Sequence, residues 1–248
     1  MARTANPRVT ESTMIDLYYW TSPNVHKITM FLEETGLPFH IIPIDVTHGE
    51  QYEASFTSLS PNNRIPVIVD RDPAGGGEPI TIFESGAILL YLAEKAGELL
   101  AHDIRVRMAT LQWLFWQIGG LGPMGGQCVH FRNYAPRRIE YALQRYGAEN
   151  DRLIGVLDRH LQAREYIAED YSIADIACYP WIFAHDRRQQ IDFAPFPNVH
   201  RWYKAIADRS ATRRAYAWVA TVTTGPNVTA QQDLSVEARR ILFGAHAV

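Results

Sequence analysis

The spacing of hydrophobic and polar residues changes in character near residue 100. Before that point, short apolar runs rich in β-branched and aromatic residues predict four strands. These runs cover residues 15–20, 39–46, 65–70 and 80–83. Helical periodicity follows the first strand, over 25–35, and the fourth, over 85–95. The order β-α-β, a connector and then β-β-α predicts a thioredoxin-like fold, which is a small mixed sheet with helices on its faces.

Beyond residue 104 the pattern indicates helices and no convincing strand. The predicted helices cover residues 105–118, 137–161, 198–208 and 236–243. A further helix is predicted to follow Ser172, whose hydroxyl would accept from the Asp175 amide while the Asp175 carboxylate reaches back, as in a capping box. The glycine-rich residues 120–125 are predicted to form a loop that lines a cleft between the domains.

These elements predict a chain of α/β plus all-α class, in which a thioredoxin-like domain precedes an all-helical domain. The predicted divisions are a flexible leader over 1–13, the thioredoxin-like domain over 14–98, the helical domain over 104–218 and a C-terminal extension over 219–248.

Composition then removes several classes of partner. The 248 residues carry a formal net charge of −3 without a lysine- or arginine-rich block, so neither nucleic acid nor an acidic membrane is an expected partner. The longest apolar runs are far shorter than a membrane span. The polar leader lacks the apolar core of a secretory signal. A cytoplasmic protein is therefore expected.

The cysteines and histidines predict neither an internal redox pair nor a metal site. Cys128 and Cys178 are the two cysteines, and they form no C-x-x-C motif. Cys178 lies in an apolar helical run and is predicted to be buried. The nine histidines lack metal-ligand spacing, and His26 and His48 are predicted to be solvated. A reactive thiol would therefore have to come from a ligand.

The first strand passes into the first helix through the turn W-T-S-P-N at residues 20–24. Ser22 or Thr21 could be a plain helix N-cap, with Pro23 at the first helical position. Alternatively, these hydroxyls and the Asn24 amide form an anion site that stabilises a thiolate. A charge-assisted hydrogen bond contributes roughly 1.5–3 kcal/mol and the helix end about 0.3–1 kcal/mol. Such a site could lower a thiol pKa from about 8.5 by roughly one to two units.

Two further segments complete a candidate ligand site. In N-N-R-I-P, at residues 62–66, Pro66 lies where a thioredoxin-like fold has a cis-proline, which would turn the Ile65 backbone toward an extended peptide. In F-E-S-G, Ser85 is either a plain N-cap or part of a helix N-terminus that holds a carboxylate, with Glu84 pairing an ammonium. A thiol site, a backbone edge and an amino-acid clamp together fit a thiol peptide such as glutathione.

Four motifs resemble those of the glutathione transferase superfamily, most closely its bacterial Nu class. They are S-P-N-V-H-K at 22–27, S-P-N-N-R-I-P at 60–66, F-E-S-G-A-I-L-L-Y-L-A-E-K at 83–95 and L-Q-W-L-F-W-Q-I-G-G-L-G-P-M at 111–124. The resemblance covers roughly residues 14–216 and implies the glutathione transferase fold in a homodimer.

The resemblance implies a role for each matching position. Asn24 contacts the glutathione sulfur, and either Ser22 or Thr21 supplies a hydroxyl beside it. Serine stands at position 22 where the class often has threonine, so the choice between the two hydroxyls stays open. The residues implied in binding the rest of glutathione are Gln51, Ile65, Pro66, Glu84, Ser85 and, across the dimer interface, Arg145.

The resemblance also implies an activity. Nu-class proteins reduce disulfides with glutathione, reduced or oxidised glutathione being the co-substrate, and have weak transferase or peroxidase activity. A chain without C-x-x-C would use a bound glutathione thiolate to attack a disulfide, and a second glutathione would resolve the mixed disulfide. The alternatives are conjugation of electrophiles in an aromatic cleft around Trp113, Trp116 and Met124, or a non-catalytic glutathione-binding regulatory protein.

Overall fold

The computed structural model describes residues 14–189, 192–222 and 234–244, without the side chains of 184–189. The predicted leader over 1–13 and much of the predicted C-terminal extension lie outside these ranges. No helix in the described ranges is both long enough and apolar enough to cross a membrane.

Four short strands form one sheet in the N-terminal half. They are β1 (Ile15–Tyr19), β2 (Phe39–Pro43), β3 (Val67–Asp70) and β4 (Ile80–Phe83). Their order across the sheet is β2-β1-β3-β4. β1 and β2 are parallel, and the other neighbouring pairs are antiparallel. The thioredoxin-like arrangement predicted for this half is therefore confirmed.

Three described helices accompany the sheet, and a helical half follows them. The first three are α1 (Pro23–Thr35), α2 (Ala54–Thr57) and α3 (Ser85–Ala96). The later helices are α4 (Ile104–Trp116), α5 (Gly122–Asn133), α6 (Glu140–His160), α7 (Ile173–Gln189), α8 (Pro197–Ala207), α9 (Ser210–Val222) and α10 (Val236–Phe243). Single turns of 3₁₀ helix cover Glu50–Tyr52 and Leu161–Ala163, and a π turn covers Gln117–Leu121.

α1 joins the two halves of the molecule. It packs against α3 beside it and against α7 and α9 of the helical half. Residues 25–32 are consequently buried without exception. His26, predicted to be solvated, is instead enclosed, and its ring stacks on Tyr216 with 4.2 Å between the ring centroids. The prediction is wrong because α9 covers the face of α1 that carries His26, a contact that the sequence pattern did not indicate. His48, by contrast, is exposed as predicted.

The glycine-rich residues 120–125 are helical, so the predicted loop is wrong. α4 continues through the π turn into α5, which begins at Gly122. A loop was expected because glycine is a poor helix former. Here close packing outweighs that preference, since a Cβ added at Gly122 would lie 2.8 Å from Gln117 Nε2 and 3.4 Å from a ring carbon of Trp181.

The start of α7 contains the predicted capping pair with one changed partner. The Asp175 carboxylate accepts from the Ser172 amide at 3.0 Å, as predicted. The Ser172 hydroxyl oxygen accepts from the Ala174 amide at 3.3 Å rather than from the Asp175 amide. The same hydroxyl donates to Asp175 Oδ2 at 3.1 Å, which holds it close to the carboxylate.

The C-terminal helices differ in how far the pattern predicted them. The pattern predicted no helix between residues 208 and 236, yet α9 covers Ser210–Val222. α10 covers the predicted residues 236–243. It packs on the end of α5, where Ala238 is buried with Val129 and Tyr134.

Candidate functional site

The three candidate segments, separate in sequence, share the wall of one cavity of about 230 Å³, the first cavity. The start of α1 contributes Asn24, and the approach to β3 contributes Ile65 and Pro66. The start of α3 contributes Glu84 and Ser85. The fold thus brings together five of the predicted site residues.

The two candidate hydroxyls differ in exposure. Ser22 is half-buried and is the N-cap of α1, because its Oγ accepts from the Val25 amide at 3.3 Å. Its hydroxyl proton remains able to donate. Thr21 is only 5% exposed, and its Oγ1 lies 3.4 Å from His26 Nε2. Neither residue lines the first cavity, but Ser22 is the more accessible hydroxyl.

Asn24 has its side-chain orientation fixed by the helical half. Trp181 Nε1 donates to Asn24 Oδ1 at 3.1 Å. Because an indole N–H can only donate, the amide oxygen must face Trp181. The amide nitrogen is then left to donate to a ligand atom in the cavity that Asn24 lines.

The other two segments supply a turned backbone and a helix start. The peptide bond between Ile65 and Pro66 is cis, as predicted. Glu84, at φ 70°, occupies the cap position of α3 and makes no side-chain cap bond. The plain N-cap interpretation of Ser85 is therefore wrong, because the helix begins with Ser85 itself. The Ser85 Oγ instead accepts from Lys27 Nζ at 3.2 Å.

A second cavity, of about 310 Å³, adjoins the first and shares Asn24, Glu84 and Ser85 with it. Its remaining wall comes from Lys27 and from the helical half, through Gln117, Ile118, Gly122, Pro123, Gly126, Gln127 and Trp181. The aromatic cleft was predicted around Trp113, Trp116 and Met124. These three residues line neither cavity and are partly buried against the hydrophobic core.

Lys27 is a fully buried lysine in the wall of the second cavity. Its ammonium donates to Gln117 Oε1 at 2.6 Å and to Ser85 Oγ at 3.2 Å. Burial lowers its pKa to about 7, opposed by attraction to the groups of Cys178 and Glu84. The Cys178 thiol stays protonated, since burial raises its pKa. Glu84 is therefore the charged group that acts on the ammonium.

Two predicted binding residues lie outside both cavities. Gln51 is 1% exposed, and its Nε2 donates to the Val46 carbonyl at 3.3 Å. Arg145 is exposed on α6, with its guanidinium 3.9 Å from the Glu149 carboxylate. In the single chain neither residue meets the other predicted site residues.

The cysteines also lie away from the cavities. Cys128 and Cys178 are buried and form no disulfide, and neither lines either cavity. Neither thiol is therefore placed to contact a ligand in these two cavities. Among the described residues, no group of three or more His, Cys, Asp or Glu is placed to hold a metal ion.

Lys27, Gln117 and Trp181 are site residues that the sequence reasoning missed. Lys27 had a usable signal, because it follows Asn24 by three positions and so lies on the same side of α1. Gln117 and Trp181 had none, since their partners Lys27 and Asn24 are 90 and 157 positions away in the chain.

A small thioredoxin-like half with a cis-proline, followed by a helical half that completes the site, defines the class of protein. The model for the glutathione S-transferase N-terminal domain matches residues 21–95, and that for the C-terminal domain matches residues 137–210. The chain belongs to the glutathione S-transferase family.

Relatives within the family are similar over most of their length. The disulfide-bond oxidoreductase YfcG of Escherichia coli K12 is 55% identical over 203 residues, which cover 82% of this chain and 94% of YfcG. A Pseudomonas putida glutathione transferase crystallised with one glutathione disulfide per subunit has a TM-score of 0.79 and 41% identity, covering 84% and 93%. A Pseudomonas fluorescens family member with two glutathione bound has a TM-score of 0.78 and 41% identity, covering 84% and 94%.

Proposed function

We propose that this chain reduces disulfide bonds with glutathione and uses the thiolate of a bound glutathione as the nucleophile. The observation that carries the proposal is the orientation of Asn24, whose amide nitrogen is left to donate because Trp181 holds its oxygen. The Ser22 hydroxyl, two residues earlier, is a second donor at the same helix start. The name of the E. coli relative, disulfide-bond oxidoreductase, supports this reaction.

Glutathione fits the first cavity by charge and by the order of its groups. Glu84 can pair with the α-ammonium, and Ser85 can donate to the α-carboxylate at the N-terminus of α3. The Ile65 backbone beside Pro66 can pair with the main chain of the peptide. The glutathione and glutathione disulfide held by the Pseudomonas relatives support this ligand.

The reaction proceeds by two thiol–disulfide exchanges. The bound thiolate attacks one sulfur of the substrate disulfide, so that a mixed disulfide forms and the first substrate thiolate leaves. A second glutathione thiolate then attacks the glutathione sulfur of the mixed disulfide and releases the second thiolate. Two glutathiones become one glutathione disulfide, while the substrate gains two electrons and, from solvent, two protons. The cytoplasm, where glutathione is kept reduced, suits this reaction.

Conjugation of glutathione to electrophiles is the second candidate function. The apolar side chains of Ile118, Pro123 and Trp181 line the second cavity and favour it. An electrophile held there would lie beside Asn24, which both cavities share.

We also propose a homodimer formed through α4. This helix exposes Ile104, Met108 and Phe115 to 63%, 44% and 66%, and apolar side chains exposed together mark an interaction surface. Tyr141 on α6 is 78% exposed, and Arg145 follows it by one helical turn. A partner bound on this side would allow Arg145 to reach the glutathione of the partner's site.

The test is turnover by a Cys128→Ala/Cys178→Ala protein, assayed in parallel with a small model disulfide plus glutathione and with a chloronitrobenzene electrophile. Disulfide turnover close to that of the native chain is expected, because the reacting thiol is glutathione's own. Conjugation without disulfide turnover would establish the second candidate instead. Glutathione binding without either turnover would identify a binding protein and overturn both enzymatic proposals.

A further inference from the structure

The Lys27 ammonium is buried without a carboxylate in contact. It is completely buried, and no carboxylate of the described residues lies within ion-pair distance of it. Its hydrogen-bond acceptors are the neutral Gln117 Oε1 and Ser85 Oγ. A buried charge with neutral partners is unfavourable for stability alone, so the position of this lysine calls for a functional reason.

The ammonium dictates how its two neighbours can orient. It has three N–H groups and no lone pair, so both neighbours must present an oxygen lone pair to it. With its oxygen facing Lys27, Gln117 has its amide nitrogen on the far side. That nitrogen is buried and has no protein partner. It lies 2.8 Å from the Cβ position of Gly122, and both residues line the second cavity.

Ser85 follows the same logic in the first cavity. Its oxygen accepts from Lys27, so its hydroxyl proton is turned away from the lysine. Ser85 lines both cavities, and the hydroxyl proton can therefore donate to a ligand. One ammonium consequently sets the direction of two donors.

We propose that Lys27 is a positioning residue whose protonated amine directs the Ser85 hydroxyl and the Gln117 amide nitrogen toward acceptors of the bound ligand. The identity of that ligand as glutathione or a glutathione adduct rests on the proposed function. The orienting effect itself follows from the contacts of Lys27 and applies to any ligand with carboxylate or carbonyl oxygens at these two positions.

Loss of the proton reverses the arrangement. A neutral amine has one lone pair, so either the Ser85 hydroxyl or the Gln117 amide can turn inward and donate to it. The pKa of Lys27 is lowered to about 7, so this reversal falls near neutral pH. The charged and titratable groups that act on the amine are Glu84, before α3, and Cys178, on α7. Burial raises the pKa of the Cys178 thiol, so this group stays protonated between pH 6 and 8.

A bound ligand that accepts from the two donors keeps Lys27 protonated. Affinity should therefore fall as the pH rises through the pKa of the free protein. If the bound form stays protonated, binding at pH 8 should be about tenfold weaker than at pH 6. Binding at pH 8 should also take up a proton from the buffer.

The experiment is calorimetric titration with S-methylglutathione at pH 6 and pH 8, in two buffers of different ionisation heat. The methyl group removes the ionisable thiol, so proton uptake does not report on the thiolate. The native chain should show the tenfold loss and the proton uptake. Lys27→Met should bind more weakly at pH 6 and show the same affinity at both pH values. Lys204→Met, a matched change at an exposed lysine of α8, should behave like the native chain.

Lys27→Arg provides the rescue, because a guanidinium stays charged across this range. It should restore binding relative to Lys27→Met and keep it equal at pH 6 and 8. A native chain with pH-independent affinity and no proton uptake would overturn the inference without either variant. So would a Lys27→Met protein that retains the native pH dependence. A native chain that binds no S-methylglutathione would overturn the proposed function as well.

Discussion

The amides of Asn24 and Gln117 stand on the walls of the two cavities and are held in place by different means. Asn24 Oδ1 accepts from Trp181 Nε1 at 3.1 Å, and Gln117 Oε1 accepts from Lys27 Nζ at 2.6 Å. Each partner can only donate, so each amide nitrogen is left for a ligand. An indole keeps its proton at any physiological pH, whereas the buried ammonium can lose one.

The difference separates a permanent donor from a proton-dependent one. The attacking sulfur needs stabilisation throughout the exchange, and the fixed Asn24 amide suits that task. The ligand groups near Ser85 and Gln117 take no part in bond breaking, so a donor there can vary with pH and alter affinity without altering the nucleophile. Three substitutions test whether the donors of Asn24 and Gln117 act in these separate ways, one permanent and the other dependent on a proton.

Asn24→Asp should have the largest effect. The substitution preserves shape and an oxygen for Trp181, but it replaces the donor with a carboxylate that repels the thiolate. Loss of a charge-assisted hydrogen bond alone amounts to roughly 1.5–3 kcal/mol, so kcat with a model disulfide should fall by about 100-fold or more. The kcat of Asn24→Ala should fall less, because this substitution adds no charge. A kcat for Asn24→Asp within about threefold of the native value would show that Asn24 does not face the reacting sulfur.

The segments that line the first cavity could be predicted from sequence because each is a local feature of the chain. Each of its segments is a turn or a helix start whose residue types carry their own signal, such as Pro66 before a strand or Pro23 after Ser22. The order of strands and helices then determines that these turns meet at one end of the sheet. The partner of Ser85 was beyond reach, since it depends on Lys27 58 positions away, and the predicted Gln51 and Arg145 lie outside both cavities.

The residues of the helical half that line the second cavity could not be predicted, because they are brought there by tertiary contacts. The glycine-rich residues 120–125 indicated a loop, and the structure makes them helical, with Gln117 and Trp181 packed against Gly122. Large aromatic residues indicated a cleft at Trp113 and Trp116, yet these are partly buried against the core and line neither cavity. Periodicity shows which residues are apolar, but it does not distinguish a core from a ligand cavity.

Gly122→Ala should have an intermediate effect, confined to the residues that line the second cavity. The added Cβ would lie 2.8 Å from Gln117 Nε2 and 3.2 Å from the Gln117 carbonyl oxygen, so the amide must move. Overpacking of this kind destabilises proteins by about 1–3 kcal/mol, and kcat/KM for the disulfide should fall about tenfold.

The control for that change lies in the π turn just before Gly122. Gly119→Ala places a methyl where no atom lies within 4 Å, so its kcat/KM should match the native chain and its thermal midpoint should not fall. Equal losses in the two variants would mean that the turn tolerates no side chain at all and that the displaced Gln117 amide is not the cause.

Trp181→Phe should have the smallest effect. The effect should fall on Asn24, in the wall of the first cavity, although Trp181 belongs to the helical half. The ring remains, but Asn24 Oδ1 loses its donor and the amide becomes free to rotate. One hydrogen bond contributes about 1 kcal/mol, so kcat with the model disulfide should fall about fivefold while the affinity for S-methylglutathione keeps its native pH dependence. Trp218→Phe is the control. It removes a similar bond, from Nε1 to Glu33 Oε1 at 2.9 Å, away from both cavities, and should leave kcat unchanged.

A Trp181→Phe protein with native kcat would mean that packing alone orients Asn24. A Trp181→Phe protein that lost the pH dependence would mean that the donors of the two cavities act as a single unit.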